Sequence, residues 1–178
     1  MTALVNPESE VVPGRACGTC TLCCKVIAVV DFDKPPGVWC PHCQRNKGCG
    51  IYETRPRDCR TFYCHWMVEK GLGPEWKPER SKFALVTSKS GITAFVDPGF
   101  PGAWRASPYY ETLKRWADEG ARAVDGPRIV AVRIGARAIV VLPDREVDMG
   151  VVGPDDAIRL RPSAGGGIDV EKVRAESR

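Results

Sequence analysis

All nine cysteines of this 178-residue chain fall between Cys17 and Cys64, and the 114 residues that follow contain none. Sulfur chemistry therefore governs how the front end folds. Cys17, Cys20, Cys23 and Cys24 form a C-x2-C-x2-C-C run, followed by Cys40, Cys43, Cys49, Cys59 and Cys64. Thiolates separated by two residues can converge on one ion, because a tight turn brings both sulfurs to the same side. Adjacent side chains of an extended chain point to opposite faces, so Cys23 and Cys24 suggest two sites, or one ligand beside a bystander.

Disulfides would need an oxidising compartment and normally an even number of cysteines. The count is odd, and the first twenty residues carry Glu8 and Glu10 where a secretion signal would be apolar. No apolar run approaches the roughly 18 residues of a membrane-spanning helix. The expectation is a reduced, cytoplasmic protein without a membrane partner.

The length suits one ordinary domain or two small ones. Between Cys17 and Arg80 the apolar residues are mostly cysteines and scattered aromatics, so a bound metal is expected to supply much of the folding energy there. The net charge of +4 identifies no partner class. Arg45, Lys47, Arg55, Arg57 and Arg60 crowd the later cysteines. They are read as compensating the net charge of about −2 on a four-thiolate zinc site or oxidised 4Fe-4S cluster. Trp39, Tyr52, Phe62, Tyr63 and Trp66 are read as a small core rather than a platform for unpaired bases. Nucleic acid is thus not expected as a partner, and a protein partner stays open.

Residues 1–15 read as a flexible N-terminal arm, and Lys25–Phe32, KVIAVVDF, as a strand ended by Lys34-Pro-Pro-Gly37. Pro56 suits a first helical position and would place Cys59 in an opening helical turn. The cysteine-rich module is set at 16–70, with a glycine- and proline-bearing linker at 71–80. An α+β domain spans 81–162: a hairpin from Phe83–Thr87 and Ile92–Val96, then a helix capped by Ser107 with Pro108 at its first position. Tyr109, Leu113, Trp116 and Val124 share the apolar face of that helix, which Asp125-Gly-Pro127 ends. Strands follow at Ile129–Ile134 and Ala138–Leu142, with weaker ones at Val147–Val152 and Ala157–Leu160. The predicted fold class is α+β, a small cysteine-rich metal-binding module followed by an antiparallel sheet with one covering helix. A flexible tail, read as a frayed helix, is expected over 163–178.

Spacing alone leaves three chemistries open. Cys17-x2-Cys20 and Cys40-x2-Cys43 match a zinc ribbon in which two thiolate pairs close one tetrahedral ion. Cys17-x2-Cys20-x2-Cys23 equally matches the ferredoxin triple that holds iron with a fourth ligand from elsewhere. Redox cycling of a C-x2-C pair lacks the preceding strand that a thioredoxin-like motif needs. His42 and His65, the only histidines, both adjoin cysteines and are candidate imidazole ligands. No histidine remains in 66–178 for a nucleophile–base relay there. The Gly71-Leu-Gly73 and Gly165-Gly-Gly167 clusters lack a nucleotide fingerprint's strand–turn–helix setting.

The C-x2-C-x2-C-C run, then a further cysteine and the stretch Gly48-Cys-Gly-Ile-Tyr-Glu-Thr-Arg-Pro-Arg-Asp-Cys-Arg-Thr-Phe-Tyr-Cys64, resembles the bacterial CxxCxxCC zinc- or iron-chelating domain family of the YkgJ type. That family includes flagellin lysine N-methylases, some regarded as iron–sulfur proteins. The resemblance covers about Cys17 to Cys64. It implies metal-ligand roles for Cys17, Cys20, Cys23, Cys24, Cys40, Cys49, Cys59 and Cys64, supported by Tyr52, Arg55, Pro56 and Arg60. Cys43 stands where such proteins often carry an apolar residue, so no role is carried over to it. The chain has no separate S-adenosylmethionine motif, and the methylase branch gains no support. The functional expectation is an iron–sulfur cluster or iron on the cysteine cluster, used for electron transfer or an uncharacterised redox or transfer role. The alternative is a structural zinc module serving a protein- or RNA-binding domain, or metal handling. Whether the chain is an enzyme is left open, and no catalytic residue is assigned.

Overall fold

The computed structural model describes residues 11–163 and 167–174; the expectations for 1–10, for Gly165 and Gly166 and for the last four residues lie outside it. Cys23–Val26 winds into one helical turn, α1, and Val30–Phe32 into a 3-10 turn, where a strand was predicted. Burial explains the difference. Leu22, Val26 and Ile27 all pack against Ala84 and Val86, and a strand would have turned the adjacent Val26 and Ile27 to opposite faces. The helical turn instead sets Leu22 and Val26, four residues apart, on one side, and the extended Ile27 that ends it joins the same cluster.

Cys43–Gln44 (β1) and Gly48–Cys49 (β2) pair as a short antiparallel hairpin in which Cys43 faces Cys49. Arg57–Thr61 forms α2 with Cys59 inside it, as expected, but Pro56 is the extended residue that flanks the helix rather than its first residue. His65–Val68 forms α3. The expected linker is packed rather than free: Pro74–Trp76 makes a 3-10 turn, Pro78–Ser81 forms α4, and Trp76 is buried. Its ring meets Phe83, Tyr109 and Trp116. A large aromatic side chain offers too much apolar area to be left on a free connection.

The second half is α+β. Phe83–Ser88 (β3) and Gly91–Val96 (β4) form the predicted hairpin. Tyr109–Ala121 (α5) follows, then Ile129–Ile134 (β5), Arg137–Val141 (β6) and Glu146–Val151 (β7), in spatial order β3-β4-β5-β6-β7. All neighbours run antiparallel except β4 and β5, which are parallel because α5 intervenes as a crossover between them. Ser107 does not cap α5; the flanking residue is Pro108, and Ala106 O accepts from the N–H groups of Tyr109 and Tyr110 instead. The helix stops at Ala121, so Val124 lies beyond its apolar face and is fully exposed.

Asp156–Pro162 (β8) and Ile168–Arg174 (β9) pair along their whole lengths as a separate ribbon. The expected frayed tail is thus a strand over 168–174. Its alternation of Ile168 and Val170 with Asp169 and Glu171 has the two-residue period of a strand.

Phe83, Leu85, Ala94, Val96, Val130, Val132 and Val141 form one face of the sheet core with Leu113, Ala117 and Trp104. The same cluster takes in Cys64, Trp66 and Met67. Ala84 and Val86, on the other face of β3, receive α1. Lys25 Nζ donates to Asp97 Oδ1 at 2.5 Å, fixing α1 to the end of β4.

Gly91 opens the parallel pairing with φ of +139°, and a Cβ there would lie 1.9 Å from Ile129 O. Gly91→Ala is therefore expected to cost about 3 kcal/mol or more, since both the backbone conformation and the strand contact are lost. A fall in the midpoint of urea unfolding checks this.

Glu146 accepts from Arg105 Nη1 and Nη2 at 2.6 and 2.5 Å and from the Tyr110 hydroxyl at 2.9 Å. The Arg105 hydrogen bonds hold the Glu146 carboxyl below its ordinary value. With a depressed folded-state pKa, this contribution is present above the unfolded value of about 4.3 and disappears as the pH falls through the folded value. Glu146→Gln should cost about 0.5–1 kcal/mol at neutral pH, allowing for Arg105's exposure. Paired denaturation curves should show that difference closing below about pH 4.

Candidate functional site

The cysteines are positioned chiefly by backbone hydrogen bonds. Cys40 N donates to Cys24 O at 2.9 Å, and Cys43 N donates to Cys40 O at 3.0 Å. Cys43 then faces Cys49 across the β1–β2 pair. The Cys24 thiol is raised well above a free thiol, by the neighbouring Cys23 thiol foremost and by burial next, while Cys43 acts in the opposite sense. The Cys43 thiol is pushed up to about 11, first by burial and then by Cys24. Burial also raises Cys59, which feels Cys24, Cys40 and Cys49. The backbone thus ties Cys40 to Cys24 and to Cys43, and Cys43 to Cys49, while Cys59 feels the charge of Cys24, Cys40 and Cys49.

Cys23 and Cys24 do not diverge as neighbours in a strand would. They open a helical turn, where successive side chains are about 100° apart.

A second turn lies at the other end of the run. Cys20 N donates to Cys17 O at 2.9 Å, closing the first C-x2-C turn. Cys64 is buried, and its thiol, pushed up to about 12 by burial, also feels Cys17 and Cys20. The expected free arm supplies the tie, because Val12 N donates to Met67 O at 2.9 Å. Arg15 donates to the carbonyls of Trp66, Glu69, Lys70 and Leu72, with 2.8 Å to Glu69 and 2.6 Å to Leu72, and its guanidinium lies over the Trp66 ring. The guanidinium satisfies carbonyls that the short α3 leaves unpaired at its end.

The backbone joins the Cys40–Cys43 turn to Cys24, while Val12 and Arg15, just ahead of the Cys17–Cys20 turn, bind the backbone that follows Cys64.

Two cations are set among these thiols. Lys34 is 5% exposed, and its ammonium donates to the carbonyls of Lys25, Ile27 and Pro35. Burial lowers its pKa, while thiolates at Cys40, Cys24, Cys23 and Cys59 would favour its charge. Arg55 lies over the Tyr52 ring at 3.8 Å and acts electrostatically on both Cys17 and Cys59. Its Nε is buried and has no hydrogen-bond acceptor. An unanswered guanidinium N–H beside thiols fits a partner carrying negative charge, such as metal-bound thiolate sulfur.

All nine cysteines are free thiols. Among the described residues no three His, Cys, Asp or Glu side chains are already gathered as a ligand group. The donor set is nevertheless that of a thiophilic ion, with sulfur throughout. His42 packs on Phe32 at 4.8 Å, and His65 lies against Trp116, its Nδ1 buried without a partner. Trp66 is buried as expected of a core aromatic, whereas Tyr52 and Tyr63 are exposed. Pro56 precedes α2, and Arg60 is exposed.

Comparison of the chain with family models, with curated proteins and with solved structures finds no match. The geometry adds two residues to those the sequence singled out, Arg15 and Lys34, and neither carried a sequence signal.

Lys34→Met keeps the apolar stem but leaves three carbonyls without their donor. It should lower stability by about 2 kcal/mol or more. Urea unfolding followed by tryptophan fluorescence measures this, and Lys34→Arg should recover part of the loss.

Proposed function

We propose that this chain binds metal through its cysteines, as an iron–sulfur or iron centre in a reducing, cytoplasmic setting. Its role would be electron transfer or a redox or transfer reaction yet to be defined. The observation that carries the reading is the burial of the Lys34 ammonium, enclosed by carbonyls and set among Cys23, Cys24, Cys40 and Cys59. A buried cation is costly unless an opposite charge lies nearby. Metal-bound thiolates supply that charge, since a four-thiolate centre carries about −2. Arg55 acts in the same sense at Cys17 and Cys59.

Iron is preferred to zinc on the Cys17-x2-Cys20-x2-Cys23 spacing and on the resemblance to the CxxCxxCC family. Cys17, Cys20, Cys23, Cys24, Cys40, Cys49, Cys59 and Cys64 are the proposed ligands, and the bound group would supply one-electron chemistry or Lewis acidity. The protein's own part is to fix the thiols with the backbone bonds at Cys24, Cys40 and Cys17 and to offset their charge with Lys34 and Arg55. A second reading, a structural zinc module presenting a protein- or RNA-binding surface, draws on the Cys40-x2-Cys43 turn leading into the β1–β2 hairpin. No helix among the described residues is long and apolar enough to cross a membrane.

Elemental analysis and visible spectra of anaerobically purified protein test the proposal. Iron with visible thiolate-to-iron absorption is expected. Colourless protein carrying zinc would favour the second reading, and metal-free protein that takes up neither ion would overturn both. Chelation of loaded protein should accelerate hydrogen exchange across 17–59 while β3 to β6 stay protected, because the sheet core contains few of the proposed ligands.

A further inference from the structure

We propose that Cys43 and Cys49 form a site of reversible oxidation, a facing thiol pair that a peroxide closes into a cross-strand disulfide. The pair stands on the backbone alone. Its effect on metal, the withdrawal of Cys49 from the ligand set, rests on the metal-binding reading above.

Antiparallel strands alternate between residue pairs that exchange hydrogen bonds and pairs that do not. Gly50 N donates to His42 O at 2.8 Å, one step outside Cys43 and Cys49, which makes the two cysteines a pair of the second kind. In such a pair the Cα atoms stand about 4.5 Å apart, with both side chains on one face. A disulfide usually spans roughly 4.4–6.8 Å between Cα atoms, so the strands admit the bond as they lie. Among the described residues no other two cysteines face each other across a strand ladder.

The register of this short hairpin is pinned along its length. The Gly50–His42 bond closes the open end, Lys47 N donates to Gln44 O at 2.9 Å across the turn, and Asn46 N donates to the Thr21 hydroxyl at 3.4 Å. A slip of one residue would send the two thiols to opposite faces. Both cysteines are half-buried and the turn between them, Arg45 to Lys47, is exposed, so a small oxidant has a path to them. The family pattern gives Cys49 a ligand role and Cys43 none. That asymmetry suits a resolving thiol, held beside a functional cysteine but outside its site.

Hydrogen peroxide converts one thiol of the pair to a sulfenic acid: an S–O bond forms, the O–O bond breaks and water leaves. The facing sulfur then attacks, the S–S bond forms, the S–O bond breaks, and the second thiol's proton departs with the hydroxyl as another water. Both sulfurs are oxidised and one peroxide is reduced. A dithiol reverses the reaction by exchange, so in a reducing setting the bond is transient. The thiolate is the metal-binding form of cysteine, and Cys49 held in the disulfide no longer offers one.

The test is limited oxidation of the full, reduced, metal-free chain with one equivalent of hydrogen peroxide, followed by trypsin digestion and mass spectrometry without reduction. Cleavage after Arg45 and Lys47 separates the two cysteines, and fragmentation of the linked peptides distinguishes Cys43 from Cys40. The Cys43–Cys49 link should dominate and should vanish with dithiothreitol. Cys43→Ser should lose it and Cys40→Ser should keep it. A dominant link from Cys43 to Cys24, or from Cys49 to any other cysteine, would overturn the proposal, as would oxidation that leaves both thiols unlinked. Anaerobic loading with Co²⁺ before the peroxide should suppress the link, and the oxidised chain should take up less Co²⁺ until dithiothreitol restores it. Undiminished uptake by the linked chain would overturn the withdrawal of Cys49. A reduced chain that forms the link yet binds no Co²⁺ would instead overturn the metal-binding reading and leave the oxidation site standing, so the two failures are distinguishable.

Discussion

Strand β3 has no solvent-facing side over its first four residues. Phe83, Ala84, Leu85 and Val86 are each 5% exposed or less. Phe83 and Leu85 join the core beneath α5, while Ala84 and Val86 receive Leu22, Val26 and Ile27 from the cysteine-rich segment. The α1 segment meets the sheet through this strand, and the alternation of its side chains lets it serve both clusters at once. A residue larger than alanine at position 84 would separate α1 from the sheet and disturb the run that holds four of the cysteines.

Much of the sheet was legible because its signals are local. The β3–β4 hairpin follows from two β-rich runs around a short turn, and Ile129–Ile134 coincides with β5. The parallel β4–β5 pair was less visible, since it depends on where the crossover helix returns the chain. KVIAVVDF misled for a related reason. Its composition favours a strand, but the partner surface offered by Ala84 and Val86 collects Val26 and Ile27 on one side, and tertiary packing overrode propensity. The ribbon of β8 and β9 escaped notice in its second strand, where alternating apolar and charged residues resembled a polar tail.

The thiols were plain in the sequence, but their grouping was not. Spacing draws attention to neighbours along the chain, so it couples Cys17–Cys20 to Cys40–Cys43. The fold brings Cys64 back to the first pair through Arg15, a residue whose contacts lie more than fifty positions away. Lys34 was equally silent, because nothing in its neighbours announces that an ammonium will be enclosed by three carbonyls. Cys43 was set aside by comparison with the family pattern, yet its thiol lies against Cys24.

The strap formed by Val12 and Arg15 also sets an order of events during synthesis. The backbone hydrogen bonds that tie Cys24 to Cys40, and Cys43 to Cys49, lie wholly within the first fifty residues. Arg15, by contrast, finds its last acceptor only when Leu72 has emerged. A nascent chain therefore carries Cys17 and Cys20 without the tie that Arg15 makes to the far side of Cys64 until residue 72 has emerged.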